Sequence, residues 1–134
     1  MPKDRGLMHW AGNIYLTPEE KEFRLEQLAK EIADGEVDEQ FYPYLIRLNA
    51  MPYVVTTQCC CGHAGKKTPH FDIRTSISFE KLFRAVSNTV EKFGITVHIM
   101  GFELGLPRFV FWMEARNWRK ATDALVRDLE KGDL

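Results

Sequence analysis

The densest run of chemically capable side chains is Thr56-Thr57-Gln58-Cys59-Cys60-Cys61-Gly62-His63. Thiols and an imidazole in one short segment can ligate a metal, act as nucleophile and base, pair as a disulfide, or fill space as small apolar groups. Three consecutive cysteines are poor chelators. Neighbours on an extended strand point to opposite faces, and zinc loops space their cysteines by about two to four residues. No metal is therefore assigned to them, and zinc stays as an alternative. A bond between adjacent cysteines is sterically awkward, whereas Cys59 and Cys61 also read as small hydrophobes filling a strand end. Cys60 or Cys61 with His63 has the composition of a nucleophile–base pair, but no acidic orienting group lies nearby in sequence.

Other chemistry-bearing residues are more dispersed. Gly62 and Gly65, followed by Lys66 and Lys67, make a loop whose backbone N–H groups and ammonium charges suit an anion; a solvated surface loop has the same composition. Glu103 precedes the turn at Gly105 to Pro107, so its carboxylate faces either a cleft or solvent. His98 stands on an alternating strand, where a packed or surface role is the ordinary one. Neither G-x-G-x-x-G nor a P-loop occurs, which removes support for a Rossmann or Walker-type phosphate site.

These residues must be positioned by elements that the chain itself announces. Residues 1–16 lack a period and read as an arm that packs by Trp10, Ile14, Tyr15 and Leu16. Thr17-Pro18-Glu19-Glu20 is a helix start, and Leu25, Leu28, Ala29 and Ile32 form the apolar stripe behind it. A second helix runs to about Asn49 with Phe41, Leu45 and Leu48 on one side and Pro43 near its start. From Tyr53 the order becomes strand, strand, helix, strand, strand, helix: 53–57, His70–Arg74, a helix capped by Ser76 or Ser78 and closed by Gly94, Ile95–Ile99, Phe109–Met113, and a helix after Asn117. Phe109–Met113 is apolar on both faces and belongs at the sheet centre. Trp112 and Trp118 fall on apolar stripes and read as core. The expected fold class is a two-layer α+β domain over 17–134. Its helical part, 17–50, packs at the sheet's side or edge, and 53–131 forms a ββαββα unit with a mostly antiparallel sheet and helices on one face.

Composition bounds the function classes. The 134 residues, 45% hydrophobic and 28% charged, suit one globular domain. The net charge of −1 excludes a uniformly basic nucleic-acid binder, yet it sums unlike segments. Residues 17–40 carry nine acids and three bases, and residues 41–134 carry thirteen bases and nine acids. The acidic helix suits a protein partner. The positive remainder, with Lys66, Lys67, Arg74 and Arg108, suits a small anionic ligand or weakly held nucleic acid. Apolar runs fall short of the roughly 20 residues needed to span a bilayer, and residues 1–6 lack a secretory signal's apolar stretch, so a cytoplasmic protein without membrane association is expected. The oligomeric state is not legible.

The run Leu45-Ile46-Arg47-Leu48-Asn49-Ala50-Met51-Pro52-Tyr53-Val54-Val55-Thr56-Thr57-Gln58-Cys59-Cys60-Cys61-Gly62-His63 resembles the signature of the tRNA wybutosine-synthesizing protein 3 family. In that family a helix end containing asparagine leads through a Tyr-x-Thr-Thr strand into Ser-Ser-Cys-Ser-Gly-Arg. Asn49, Tyr53, Thr56, Thr57, Cys60 and Gly62 match. Gln58, Cys59 and Cys61 replace the serines, and His63 replaces the arginine. Glu103, Pro107 and the strand to Glu114 resemble the family's Glu-Pro segment, with Leu104-Gly105-Leu106 inserted between the two. Arg74 or Thr75 stands where a histidine is expected. The resemblance is that of a distant, shortened relative and covers about residues 38–131. It implies an S-adenosylmethionine-dependent methyltransferase acting on a tricyclic guanine derivative in tRNA. Cys60, His63 and Glu103 become the catalytic candidates, and Thr56, Thr57, Gly62, Lys66, Lys67 and Arg74 the binding ones. A non-enzymatic module for a small ligand, nucleotide or metal, and an accessory interaction protein, are the alternative readings.

Overall fold

Thr17 opens the first helix as its spacing predicts: its side chain accepts the Glu20 N–H at 3.2 Å and donates to the Glu20 carboxylate at 3.0 Å. The computed structural model describes residues 17–63, 66–103 and 106–132, without the side chains of 58 and 101–106; the expected arm at 1–16 lies outside the described residues. Helix α1 spans Pro18–Ala33. After it come a 3-10 turn, Glu39–Phe41, and helix α2, Tyr42–Ala50, with Pro43 in its first turn as expected. The ββαββα order follows: β1 Val54–Cys60, β2 His70–Thr75, α3 Phe79–Phe93, β3 Thr96–Glu103, β4 Leu106–Trp112 and α4 Trp118–Lys131. Local signals set the α3 ends. Ser78 accepts the Lys81 N–H, and Gly94 closes the helix in the left-handed region at φ 62°.

The four described strands lie in the order β1-β2-β4-β3, every neighbouring pair antiparallel. The protein is thus α+β, with β4 central as its apolar run predicts. Phe71 and Ile73 of β2 and Phe109 and Phe111 of β4 point to one face, where Leu45 and Leu48 of α2, Leu82 and Val86 of α3, and Leu125 and Leu129 of α4 cover them. Each large side chain so buried contributes about 1.5–3 kcal/mol. Phe41 stacks on Trp118 at 4.8 Å, tying the 3-10 turn to α4. Arg47 bridges α2 to Asp123 and Glu130 of α4. Among the described residues, no helix is long and apolar enough to cross a membrane.

Two expectations about faces are corrected. The buried residues of α1 are Glu20, Arg24 and Leu28, whereas Leu25 is 40% and Phe23 56% exposed. The reason is that α1 lies along the free edge of β1 rather than over the sheet. Lys21 Nζ donates to the carbonyls of Met51, at 2.7 Å, and Val54; Arg24 donates to the carbonyls of Thr56 and Thr57. A helix that satisfies an open strand edge must bury donors, so its inward stripe is polar. Trp112 stands on the sheet face opposite the core cluster. There its Nε1 donates to His98 Nδ1 at 3.1 Å, and its ring meets His70 at 4.5 Å.

Candidate functional site

The site begins where α2 hands over to β1. Asn49, the last polar residue of α2, is buried. Its Nδ2 donates to Leu45 O and Thr56 Oγ1, both at 2.8 Å, and its Oδ1 accepts the Thr56 N–H at 3.2 Å. Every polar group of the pair is engaged, which is the condition for burying amide and hydroxyl together. Thr56, expected to contact a ligand, is 1% exposed and serves as the anchor of the strand.

One residue further on, the ladder breaks. Thr56 faces Ile73 but Cys59 faces Phe71, so three steps on β1 match two on β2: a β-bulge. At the bulge Thr57 donates its N–H to Asp72 Oδ1 at 3.0 Å, and its hydroxyl donates to the same oxygen. Asp72 Oδ2 accepts from Arg108 Nε. A fully buried carboxylate on β2 therefore links β1 to β4. Beyond the bulge Cys59 packs against the core, and Cys60 takes the row of His70 and Trp112. Burial pushes the Cys59 thiol up to about 12, so it is protonated at neutral pH and is no nucleophile. All three cysteines are free thiols.

The loop after β1 is folded back on itself. Lys67 N–H donates to Gly62 O at 2.9 Å, and Lys66 N–H to His63 O at 3.4 Å. Gly62 sits at φ 86°, and a Cβ there would lie 2.6 Å from Lys67 O and 2.8 Å from Pro69 Cγ. Only glycine fits, so Gly62 builds the loop. His63 also has a positive φ, 47°, a conformation that costs a non-glycine residue about 1–2 kcal/mol. Asp38, the cap of the 3-10 turn, reaches this loop: its oxygens accept the N–H groups of Gln40 at 3.1 Å and Cys61 at 3.0 Å. Burial raises the Asp38 pKa, but hydrogen bonds from the Cys61 thiol and from those two N–H groups outweigh it and hold the carboxyl below its ordinary value. Burial, then the Asp38 contact, pushes the Cys61 thiol up.

Between α1 and this loop lies a cleft of about 520 Å³, within the usual range of small-molecule sites. Thr57, Cys60, His63 and Lys67 line it together, with Thr56 in its wall and Arg24, Glu31 and His70 around them. Lys67 also lines a second cleft of about 490 Å³ together with Lys66, so the folded loop is the partition between the two. Arg74 stands opposite Val55 and Arg108 and lines neither. Glu103 is not brought to the cleft. Cys60, His70, Trp112 and Thr96 form the row at one end of the sheet, while Glu103 pairs with Leu106 at the other end of β3, the outermost strand, roughly 20 Å further along. Glu103 became a site candidate through the resemblance, and the strand order separates its backbone from the cleft. Asp38, Asp72 and Arg24 are neighbours of the loop and strand that the sequence did not single out. Only Asp38 had a local signal, an acid just before a helical turn.

No family model matches the chain, and no curated protein matches it. In fold it is similar to the PH1069 protein of Pyrococcus horikoshii, with a TM-score of 0.60 and 13% identity, over 94% of this chain and 96% of that one. At that identity the likeness shows the fold alone.

Proposed function

We propose that the α1–loop cleft is the site of an S-adenosylmethionine-dependent methyltransferase, a diverged relative of the wybutosine-synthesizing family that acts in the cytoplasm on a tricyclic guanine derivative of tRNA. The observation that carries this reading is the division of labour among the signature residues. Asn49, Thr56 and Gly62 hold the wall and loop in shape, and Thr57 and Cys60 line the cleft that results. In the reaction a ring nitrogen of the base attacks the sulfonium methyl carbon; the C–S bond breaks, its electron pair stays on sulfur, and S-adenosylhomocysteine leaves. His63, exposed at the cleft, accepts the proton released by that nitrogen. Cys60 and Thr57 orient the reacting groups. The exposed ammonium groups of Lys66 and Lys67 suit tRNA phosphates beside the mouth of the cleft. Glu103 and Arg74 are left out of this assignment, since the backbone of Glu103 lies at the far end of β3 and Arg74 does not line the cleft.

Calorimetry with S-adenosylmethionine and transfer of its labelled methyl group to tRNA carrying the tricyclic base test the proposal. Binding that is lost in Thr57→Ala, and transfer that is lost in His63→Ala and Cys60→Ala, are the expected results. Absence of both binding and transfer by the folded wild type overturns it.

A second reading, an accessory interaction protein, is favoured by one feature. Glu19, Glu22, Phe23 and Glu26 lie at helical spacing on the exposed side of α1. An acidic face around an exposed phenylalanine suits a basic partner. Co-purification of a partner that is lost on Phe23→Ala with Glu22→Lys is its test.

A further inference from the structure

We propose that Asp38, Cys61 and His63 form a binding site for a divalent transition-metal ion, zinc by the character of its donors. One ligand atom from each lies within 4.8 Å of the others. A tetrahedral ion needs such atoms about 3.3–3.7 Å apart given metal–ligand bonds of about 2.0–2.3 Å, so a small contraction of exposed His63 closes the set. Carboxylate, thiolate and imidazole together suit zinc better than magnesium or calcium, which take oxygen ligands.

The surroundings are those of a prepared ligand set. Asp38 is fixed by the N–H groups of Gln40 and Cys61, which leave its remaining lone pairs for a cation. Gln40 Nε2 donates to Cys61 Sγ at 3.2 Å, a contact that a thiolate strengthens. Gly62, with its positive φ, makes the tight turn that returns His63 to Cys61. Three protein ligands leave a fourth position for water or a ligand, and His63 is shared with the cleft. Cys59 and Cys60 take no part, since the bulge points one to the core and the other to the His70 row.

Cys61 and His63 converge with Asp38 on one point although Asp38 precedes them by more than twenty residues, so the fold assembles the set. On binding, the Cys61 thiol gives its proton to solvent as the sulfur–metal bond forms, so uptake of one ion releases one proton when Asp38 is already ionised.

The test uses the full chain, stripped with a chelator and titrated with Zn2+ or Co2+. The expected result is one ion per chain, a thiolate-to-cobalt charge-transfer band with tetrahedral d–d bands, and one proton released. His63→Ala and Asp38→Asn weaken binding by about 100-fold or more, beyond the roughly 10–100-fold typical of groups that only support a ligand, Cys61→Ser removes the charge-transfer band, and Cys60→Ser keeps it. His63 is exposed, so its variant stays folded, which circular dichroism checks. Absence of stoichiometric binding, unchanged affinity in folded His63→Ala, or loss of the band in Cys60→Ser overturns the site. A metal-bound His63 has no nitrogen left to take the proton of methyl transfer, so S-adenosylmethionine binding and transfer are scored in the stripped protein, where the methyltransferase reading stands or falls without the metal.

Discussion

Asn49 pairs with Thr56 as a neighbouring strand would, accepting the Thr56 N–H and donating to its hydroxyl, although Asn49 belongs to helix α2. The carboxamide thereby ends one element and begins the next. Asn49→Ala leaves a buried N–H and hydroxyl without their partner, and the expected loss is about 1–3 kcal/mol in urea unfolding. Asn49→Asp recovers the accepted N–H bond but not the donated one, so its midpoint falls between those of alanine and wild type.

Asp72 is the hub of a second relationship, reaching Thr57 on one side and Arg108 on the other. Asp72→Ala removes the carboxylate from a mostly buried ion pair and frees the bulge. The expected cost is about 3 kcal/mol, measured by chemical denaturation. Thr57→Val removes only the hydroxyl contact and costs about 1 kcal/mol.

Gly62→Ala combines an unfavourable φ with a Cβ placed against the Lys67 carbonyl. The loop must open, so the amide of Lys67 loses its bond to Gly62 O and exchanges faster with deuterium. Gly35→Ala is the control: it carries the φ penalty with open space around the new methyl group, and loses less stability.

The pH dependence has a definite sign. The Asp38 carboxyl lies below its ordinary value of 3.8, so its contribution to stability is present above that value and is lost as pH falls through the folded-state value. Glu130, lowered chiefly by Arg47, acts in the same direction. The difference in thermal midpoint between wild type and Asp38→Asn is therefore full near neutral pH and closes as the pH falls through the folded-state value. A gap that widens on acidification contradicts the assignment.

How much was legible follows from whether the signal was local. Ser78, Gly94 and the Thr17–Glu20 box set helix ends through contacts within a few residues, and the apolar run Phe109–Met113 fixed β4 at the centre of the sheet. The buried face of α1 was not legible, because Lys21 and Arg24 are turned inward by backbone carbonyls thirty residues away in sequence. Cys60, His63, Thr57 and Lys67 come together at one cleft because they share one strand and its loop. Glu103 was misplaced and Asp38 overlooked for a common reason: strand order and long-range capping decide which ends meet, and neither is written in a local pattern.

The bulge between Thr56 and Cys59 acts as a parity switch. In a regular ladder Phe71 would face position 58, and Cys59 would stand in the row of His70. One surplus residue decides which thiol leans on the core and which stands in the row of His70. Deleting one residue between Thr56 and Cys59 would straighten the ladder with Cys59 still opposite Phe71 and Cys60 opposite His70, whereas closing the bulge without a deletion would exchange their places. The three cysteines are alike on paper; the strand's counting makes them different reagents.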